Sequence, residues 1–316
     1  MNFNNPTISI IIPTINRSHL ISRSIESILN QTYQNFEIII VDSSQNEETK
    51  KIIENFQKFG KRIIFFSFRE KRGIAAARNF GIKKSNGEYL AFQDDDDEWL
   101  PDKIEKQIQV FKNLNSDSEV GVVYTGFYTF EGNKKFYIPK EDVLLREGDI
   151  HKELLKGNFV STQTMLIHKR CFAKAGLFNE NLPSFEDWEF AIRVSKFFRF
   201  RIIDEPLVNA YIQEDSNSRN INNYVRSLEI IIKEHFDDFF NEKVLLAKYY
   251  SLLGHYYCSN GNMMKGRSYF IQELKIYPTI LTVLVIGTSF FGERFFNKIK
   301  FFYKKIDSII NFRVQE

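Results

Sequence analysis

The sequence predicts an α/β fold: a mostly parallel sheet flanked by helices, followed by an all-α C-terminal region. Three observations carry this. Short, apolar, β-branched runs alternate with helical periodicities from the start to about residue 115. From about residue 116 the pattern becomes mixed, and after about residue 222 it reads almost entirely helical.

Taken in order, Thr7-Ile12 is a strand stopped by Pro13. Ser18-Leu29 places Leu20, Ile21, Ile25, Ile28 and Leu29 at helical spacing, with Ser18 as the N-cap. Glu37-Asp42 is a second buried strand, Glu47-Phe59 a helix, Arg62-Ser67 a strand and Gly73-Lys84 a helix. Tyr89-Gln93 is a strand, and Pro101-Phe111 a helix with proline in its first turn. Continuously apolar strands imply a sheet covered on both faces. Such sheets bind ligands beyond the carboxyl ends of their strands. Those ends hold Pro13, Thr14, Asp42 and the run Asp94 to Asp97.

Further along, Val120-Phe130 and Phe136-Ile138 are expected to pair across Glu131-Gly132-Asn133. Asp149-Leu155 reads as a short helix, Gln163-His168 as a strand and Phe185-Phe198 as an amphipathic helix. Phe200-Ile203 and Leu207-Tyr211 read as two short strands. A polar, turn-rich stretch near Arg219-Asn223 sets the expected boundary between a domain at 1–219 and a helical region at 220–316.

Composition narrows the function. Lys+Arg 43 against Asp+Glu 40 is not the balance of a dedicated nucleic-acid binder. Cys171 and Cys258 are too few for a disulfide scaffold or a Cys-rich zinc module, and suit a reducing, cytoplasmic setting. The N-terminus lacks the basic segment and apolar length of a signal peptide. No uninterrupted apolar stretch reaches the roughly 18 residues a membrane span needs.

The acidic run Asp94-Asp95-Asp96-Asp97-Glu98 is the strongest local signal. Adjacent carboxylates repel one another unless something positive lies among them. Mg²⁺ or Mn²⁺ with phosphate oxygens is the natural partner of such a run at a strand's carboxyl end; a solvated acidic loop is the plainer reading. Asp42 either starts a turn or accepts from a base N–H or ribose hydroxyl. Lys71-Arg72-Gly73 opens a helix whose small residues allow close packing, and cations at a helix N-terminus suit a diphosphate. Within Ala75-Ala76-Ala77-Arg78-Asn79, Arg78 needs a partner if it faces the sheet. Glu186-Asp187 at a helix start is either dipole complementation or a general base.

Together these pieces resemble the family 2 glycosyltransferases, which have the GT-A fold, over roughly residues 6 to 219. The matching segments are ISIIIPTINR (8–17), SILNQTYQNFEIIIVDSS (27–44), GIAAARNFGI (73–82), SNGEYLAFQDDDDEWLPDK (85–103), GLFNENLPSFEDWEF (176–190) and EPLVNAY (205–211). Each alone is weak; their order and spacing make the resemblance specific. It implies that Asp42, Pro13 and Thr14 hold the nucleoside. Asp94-Asp95-Asp96 would be the D-x-D element, with Asp96 and Asp94 on Mn²⁺ or Mg²⁺, and Asp94 and Asp95 facing the ribose and metal-bound water. Arg78 would belong to the nucleotide-sugar site, Asp187 would be the base, and Glu186 before it would be a candidate for the acceptor or the metal. The family often continues Y-R-x-H after the last strand. Here Tyr211 is followed by Ile212, Gln213 and Glu214, so Glu214 is either a further oxygen ligand or not part of the site.

The resemblance implies an inverting, metal-dependent transfer from a nucleotide-diphosphate sugar, a UDP-sugar foremost, to a glycan, glycolipid or glycoprotein-precursor acceptor. Two other readings compete. A catalytically inert nucleotide-sugar-binding subunit would keep the fold. A sugar nucleotidyltransferase would want a Gly-rich, Lys-bearing loop after the first strand, and Pro13-Thr14-Ile15-Asn16 is not one.

In the tail, Tyr250, Leu253, Gly254, Tyr257, Phe270 and Pro278 resemble one tetratricopeptide-like helix pair, too few for a solenoid. Residues 293–316 repeat Phe295, Ile299, Phe302, Ile306, Ile309 and Ile310 at three- and four-residue steps, and carry six cations against three acids. That pattern suits either an anionic membrane surface or packing within the protein, including between copies.

Overall fold

A computed structural model describes residues 7–58, 62–68, 70, 73–115, 118–213 and 220–299. Lys71, Arg72, Glu214 and all of 300–316 lie outside the described residues. The chain divides into two compact units, residues 1–227 and 228–316.

The first unit opens with β1 (Ile8–Thr14), α1 (Ser18–Leu29), β2 (Phe36–Asp42), α2 (Glu48–Gln57), β3 (Ile63–Ser67), α3 (Ile74–Lys84) and β4 (Tyr89–Phe92). These four strands lie parallel in the order β3-β2-β1-β4. β1 and β2 are buried along their whole length, as their unbroken apolar runs require. The small residues of α3 do what their size allows: Ala75, Ala76 and Ala77 are buried, and a Cβ on Gly81 would lie 2.6 Å from Ile11 Cγ2.

The second half of this unit contains β5 (Glu98–Trp99), α4 (Lys103–Lys112), β6 (Val120–Glu131), β7 (Lys134–Ile138), α5 (His151–Lys156), β8 (Met165–His168), α6 (Arg170–Ala175), α7 (Glu186–Ser195) and β9 (Arg199–Tyr211). They extend the sheet as β4-β8-β6-β9-β5, with β7 paired to β6. β8 runs antiparallel to both β4 and β6, and β9 runs parallel to β6, so this half of the sheet is mixed.

Several boundaries differ from expectation. The helix expected from Pro101 begins at Lys103, after a turn closed by Lys103 N–H donating to Leu100 O. The two short strands expected at 200–211 are one, β9, with Pro206 at a register shift opposite Gly126. Proline has no N–H for a ladder and is tolerated at such irregularities. β5, inside the acidic run, and α6 are elements the sequence did not suggest.

The second unit is helical: the end of α8 (Ile221–Glu234), then α9 (Phe236–Asn241), α10 (Lys243–Ser259), α11 (Met263–Ile276) and α12 (Ile280–Thr288). Residues 293–299 are also helical. Glycines bring α10 and α11 together. A Cβ on Gly254 would lie 2.6 Å from the Phe270 ring, and one on Gly266 2.3 Å from Cys258 Sγ. Phe270 and Cys258 fill that contact with no exposure.

Candidate active site

The in-register pairing of β1 and β2 sets Thr14 beside Asp42. Both are buried. Asp42 Oδ1 accepts from Ser44 N at 2.8 Å, and Ser44 Oγ accepts from Asn16 N at 2.7 Å. This ties the turn after β1, where Asn16 has φ +54°, to the end of β2. Beside Asp42 lies a cavity of about 230 Å³ lined by Asn46, Glu47, Lys50, Phe65 and Ser67. Pro13 lies on β1 beside Val41.

The acidic run follows β4 and turns beneath α1. Thr14 Oγ1 donates to Asp95 Oδ2 at 2.6 Å. Arg17 Nη1 lies 3.4 Å from Asp95 Oδ1 and 3.0 Å from Asp96 Oδ2. Arg23 donates to the Asp96 main-chain carbonyl and stacks over Tyr211 at 4.1 Å. Asp97 accepts from Tyr211 N at 3.1 Å, because β5 pairs with β9 and carries it there.

Asp95, Asp96 and Asp97 are 5%, 8% and 3% exposed. Burial raises the Asp95 carboxyl, with Thr14 and Arg17 opposing it. Burial and then the charges of Asp94 and Asp95 push Asp96 up to about 7, again against Arg17. Asp97 lies well above the usual range for the same reasons, burial first. Such a cluster holds more negative charge than its surroundings stabilise.

Arg78 on α3 joins this loop to α7. Its Nη2 lies 2.6 Å from Asp94 Oδ1, and its Nη1 pairs with Glu186 Oε1. Burial works against the Arg78 charge, but Asp94, Glu186 and Asp187 outweigh it and raise its pKa. Its Nε is buried without a hydrogen-bond partner among the described residues.

Asp187 sits in the first turn of α7, just after Phe185 in a left-handed conformation at φ +62°. Its Oδ1 accepts from Asn158 Nδ2 at 3.1 Å and Trp188 N at 2.7 Å. Its Oδ2 accepts from Ser161 Oγ at 3.2 Å and Thr162 N at 3.4 Å. Burial raises the Asp187 pKa, opposed mainly by Arg78. Glu186 is likewise raised by burial while Arg78 pulls it down.

Thus the fold assembles a site of three adjoining contact groups, Thr14 with Asp95 and Asp96 through Arg17, Asp94 with Glu186 through Arg78, and Asp187 with its own donors, with Asp42 on the strand beside Thr14. Arg17, Arg23, Asn158 and Ser161 belong to it and were not assigned from the sequence. Arg17 was visible inside the quoted ISIIIPTINR segment; Asn158 and Ser161 carry no comparable signal.

Residues 9–176 match the model of glycosyl transferase family 2. A glycosyltransferase of Methanocaldococcus jannaschii is 27% identical over 295 residues, covering 89% of this chain and 93% of that protein. One of Rickettsia conorii is 27% identical over 250 residues, covering 78% of this chain but 40% of its own. The chain therefore spans about two fifths of the length of this relative, and of a similar one from Rickettsia felis. Among solved structures, Staphylococcus aureus TarS 1-349 in complex with UDP-GlcNAc superposes with a TM-score of 0.69 at 16% identity, over 95% of this chain and 92% of that one. The mannosyltransferase PcManGT of Pyrobaculum calidifontis, with GDP-Man and Mn²⁺, gives 0.58 at 15% identity, over 90% and 79%. At these identities the likeness establishes the fold, that of the GT-A glycosyltransferases.

Proposed function

The chain belongs to glycosyltransferase family 2, and from that premise we propose that it transfers a sugar from a nucleotide-diphosphate donor, a UDP-sugar foremost, to an acceptor hydroxyl with inversion at the anomeric carbon. The observation that carries this is Arg78, which bridges Asp94 of the strand-end acidic run to Glu186 beside Asp187. One buried cation thereby ties a carboxylate of the acidic run to the immediate neighbour of the residue suited to be the base.

In this reading the nucleoside lies over Pro13, Thr14 and Asp42, with its base toward the cavity by Phe65. Asp187 takes the proton of the acceptor hydroxyl as its oxygen bonds to the anomeric carbon. The bond from that carbon to the donor phosphate oxygen breaks, and the nucleoside diphosphate leaves. No covalent intermediate is needed. Asn158, Ser161 and the Thr162 and Trp188 amides orient the carboxylate. Every assigned residue falls within the first unit, residues 1–227.

The acidic run is compatible with a hard divalent cation: Asp95, Asp96 and Asp97 are buried neighbouring carboxylates, and carboxylate oxygen is the donor type that Mn²⁺ and Mg²⁺ take. Asp96, with Asp94, would hold it. Bound there, it would supply positive charge to the leaving diphosphate. Donor choice is tested by thermal shift and turnover with UDP-, GDP- and dTDP-sugars in Mn²⁺. Binding without turnover on any acceptor would favour an inert subunit; no binding of any nucleotide sugar would sink the reading.

The acceptor side of the proposal is a glycan or lipid-linked acceptor at an anionic membrane surface. Among the described residues no helix is long and apolar enough to cross a membrane. Residues 278–292 carry no charged side chain, and Ile280, Val283, Phe290 and Phe291 are exposed. Arg294 and Lys298 follow, within a 293–316 segment of six cations and three acids. Each cation near such a surface contributes about 1 kcal/mol, enough for reversible attachment. Truncation after Pro278 is expected to leave nucleotide-sugar binding intact and abolish co-sedimentation with anionic liposomes. If the full-length protein does not sediment with them at low salt, these helices serve packing or self-association instead.

A further inference from the structure

We infer that Arg17 is the resident counter-cation of the Asp95-Asp96 pair: it holds those carboxylates in the metal-free protein and gives them up as a divalent cation and a nucleoside diphosphate arrive. The inference rests on the metal-dependent reading above and assigns a positioning role that reading leaves open.

The cations around the acidic run are not equivalent. Arg78 is fixed: its side chain is 3% exposed and bound between two carboxylates. Arg23 touches the main-chain carbonyl of Asp96 rather than a carboxylate, and is held over the Tyr211 ring. It shapes the backbone of the loop. Arg17 alone of the three reaches the carboxylates of Asp95 and Asp96, and with a single nitrogen, Nη1, set between Oδ1 of one and Oδ2 of the other. A cation shared between two carboxylate oxygens from neighbouring residues occupies the place a divalent ion would compete for.

Arg17 is also less enclosed than Arg78. Its side chain is 21% exposed against 3% for Arg78. It, rather than the expected Ser18, stands at the N-cap of α1, without a side-chain capping bond, so the helix start does not depend on its guanidinium. Like charges at contact distance repel strongly where water is scarce. A divalent ion on Asp96 and a guanidinium on the same carboxylate are therefore alternatives. Arg17 lies on the turn after β1, the turn that Asn16 and Ser44 tie to the end of β2. A guanidinium released there remains at the strand ends where a diphosphate would lie, and its planar fork matches phosphate oxygens.

The test is Mn²⁺ titration of the full-length, chelator-stripped protein without nucleotide, by electron paramagnetic resonance or calorimetry, comparing wild type with Arg17→Gln. Removing the competitor should tighten Mn²⁺ binding about tenfold, the scale of one charge-assisted hydrogen bond. In EDTA the variant should melt below wild type, and Mn²⁺ should restore it; UDP binding in saturating Mn²⁺ should be weaker. If wild type binds Mn²⁺ and Arg17→Gln binds it equally or more weakly, the counter-cation role is overturned while the metal reading stands. If neither binds Mn²⁺, even with UDP, the metal reading fails and the inference with it. Should Arg17→Gln not fold, Arg17→Met decides: it keeps an unbranched apolar stem without the charge, so Mn²⁺ affinity must still rise, and an unchanged affinity overturns the role.

Discussion

Asp96→Asn is expected to abolish transfer and to remove Mn²⁺-dependent nucleotide binding. The amide keeps the shape of the side chain but supplies no charge to a hard cation. The same substitution at Asp97 should be milder, because its described role is to accept the Tyr211 amide, which a side-chain amide oxygen can also do. The pH dependence gives a second signature. In the metal-free protein the Asp96 carboxyl is pushed up to about 7 by burial and by Asp94 and Asp95, so below that pH a proton must leave before a cation binds. Mn²⁺ affinity should therefore rise with pH and level off above about 7. Stability without metal should run the other way. A carboxyl whose folded pKa exceeds its ordinary 3.8 contributes stability that is fully present at low pH and lost as pH rises through about 7. The metal-free protein should lose melting temperature across that window, and Asp96→Asn should lose less. An Asp96→Asn enzyme that keeps most of its activity in chelator would sink the metal mechanism.

The residues around this carboxylate show what a sequence discloses and what it does not. β1, β2 and β4 were legible because they are buried in the middle of the sheet, where both faces demand apolar side chains. β5 was not: it is two residues inside an acidic run, and it exists only through Glu98 and Trp99 pairing with Asn209 and Val208. β9 read as two strands because Asp204-Glu205-Pro206 interrupts its apolar pattern at a register shift, which is a property of the pairing with β6 rather than of the segment itself. In the site, Arg78 could be singled out because an arginine among three alanines needs a partner. The identity of that partner could not, since Asp94 and Glu186 meet only when α7 is placed. Arg17 lies far from Asp96 in sequence, and its charge acquires meaning only when the turn after β1 meets the turn after β4. Asn158 and Ser161 sit in a loop with no periodicity, and nothing short of the fold directs them to Asp187.

Asp187→Asn is expected to bind donor and metal normally and yet lose transfer by roughly two to four orders of magnitude, the span for removing a general base. The geometry favours so clean a separation. Asp187 takes no hydrogen bond from Thr14, Asp42 or the acidic run among the described residues; its donors are Asn158, Ser161 and the amides of Thr162 and Trp188. An asparagine can still accept from Asn158 and Trp188 through Oδ1. At Oδ2 an NH₂ would face the Thr162 amide, already a long contact at 3.4 Å, so the structural cost stays local. What the variant loses is the site for a proton. Burial raises the Asp187 carboxyl above the ordinary range while Arg78 opposes it, which makes its carboxylate a better base than an exposed aspartate. The wild-type rate should accordingly fall on acidification with a midpoint above that of a free carboxyl, and Asp187→Asn should flatten that limb. If instead the variant loses donor binding in the same proportion as transfer, the carboxylate's work is to anchor the start of α7, and the base must be sought elsewhere.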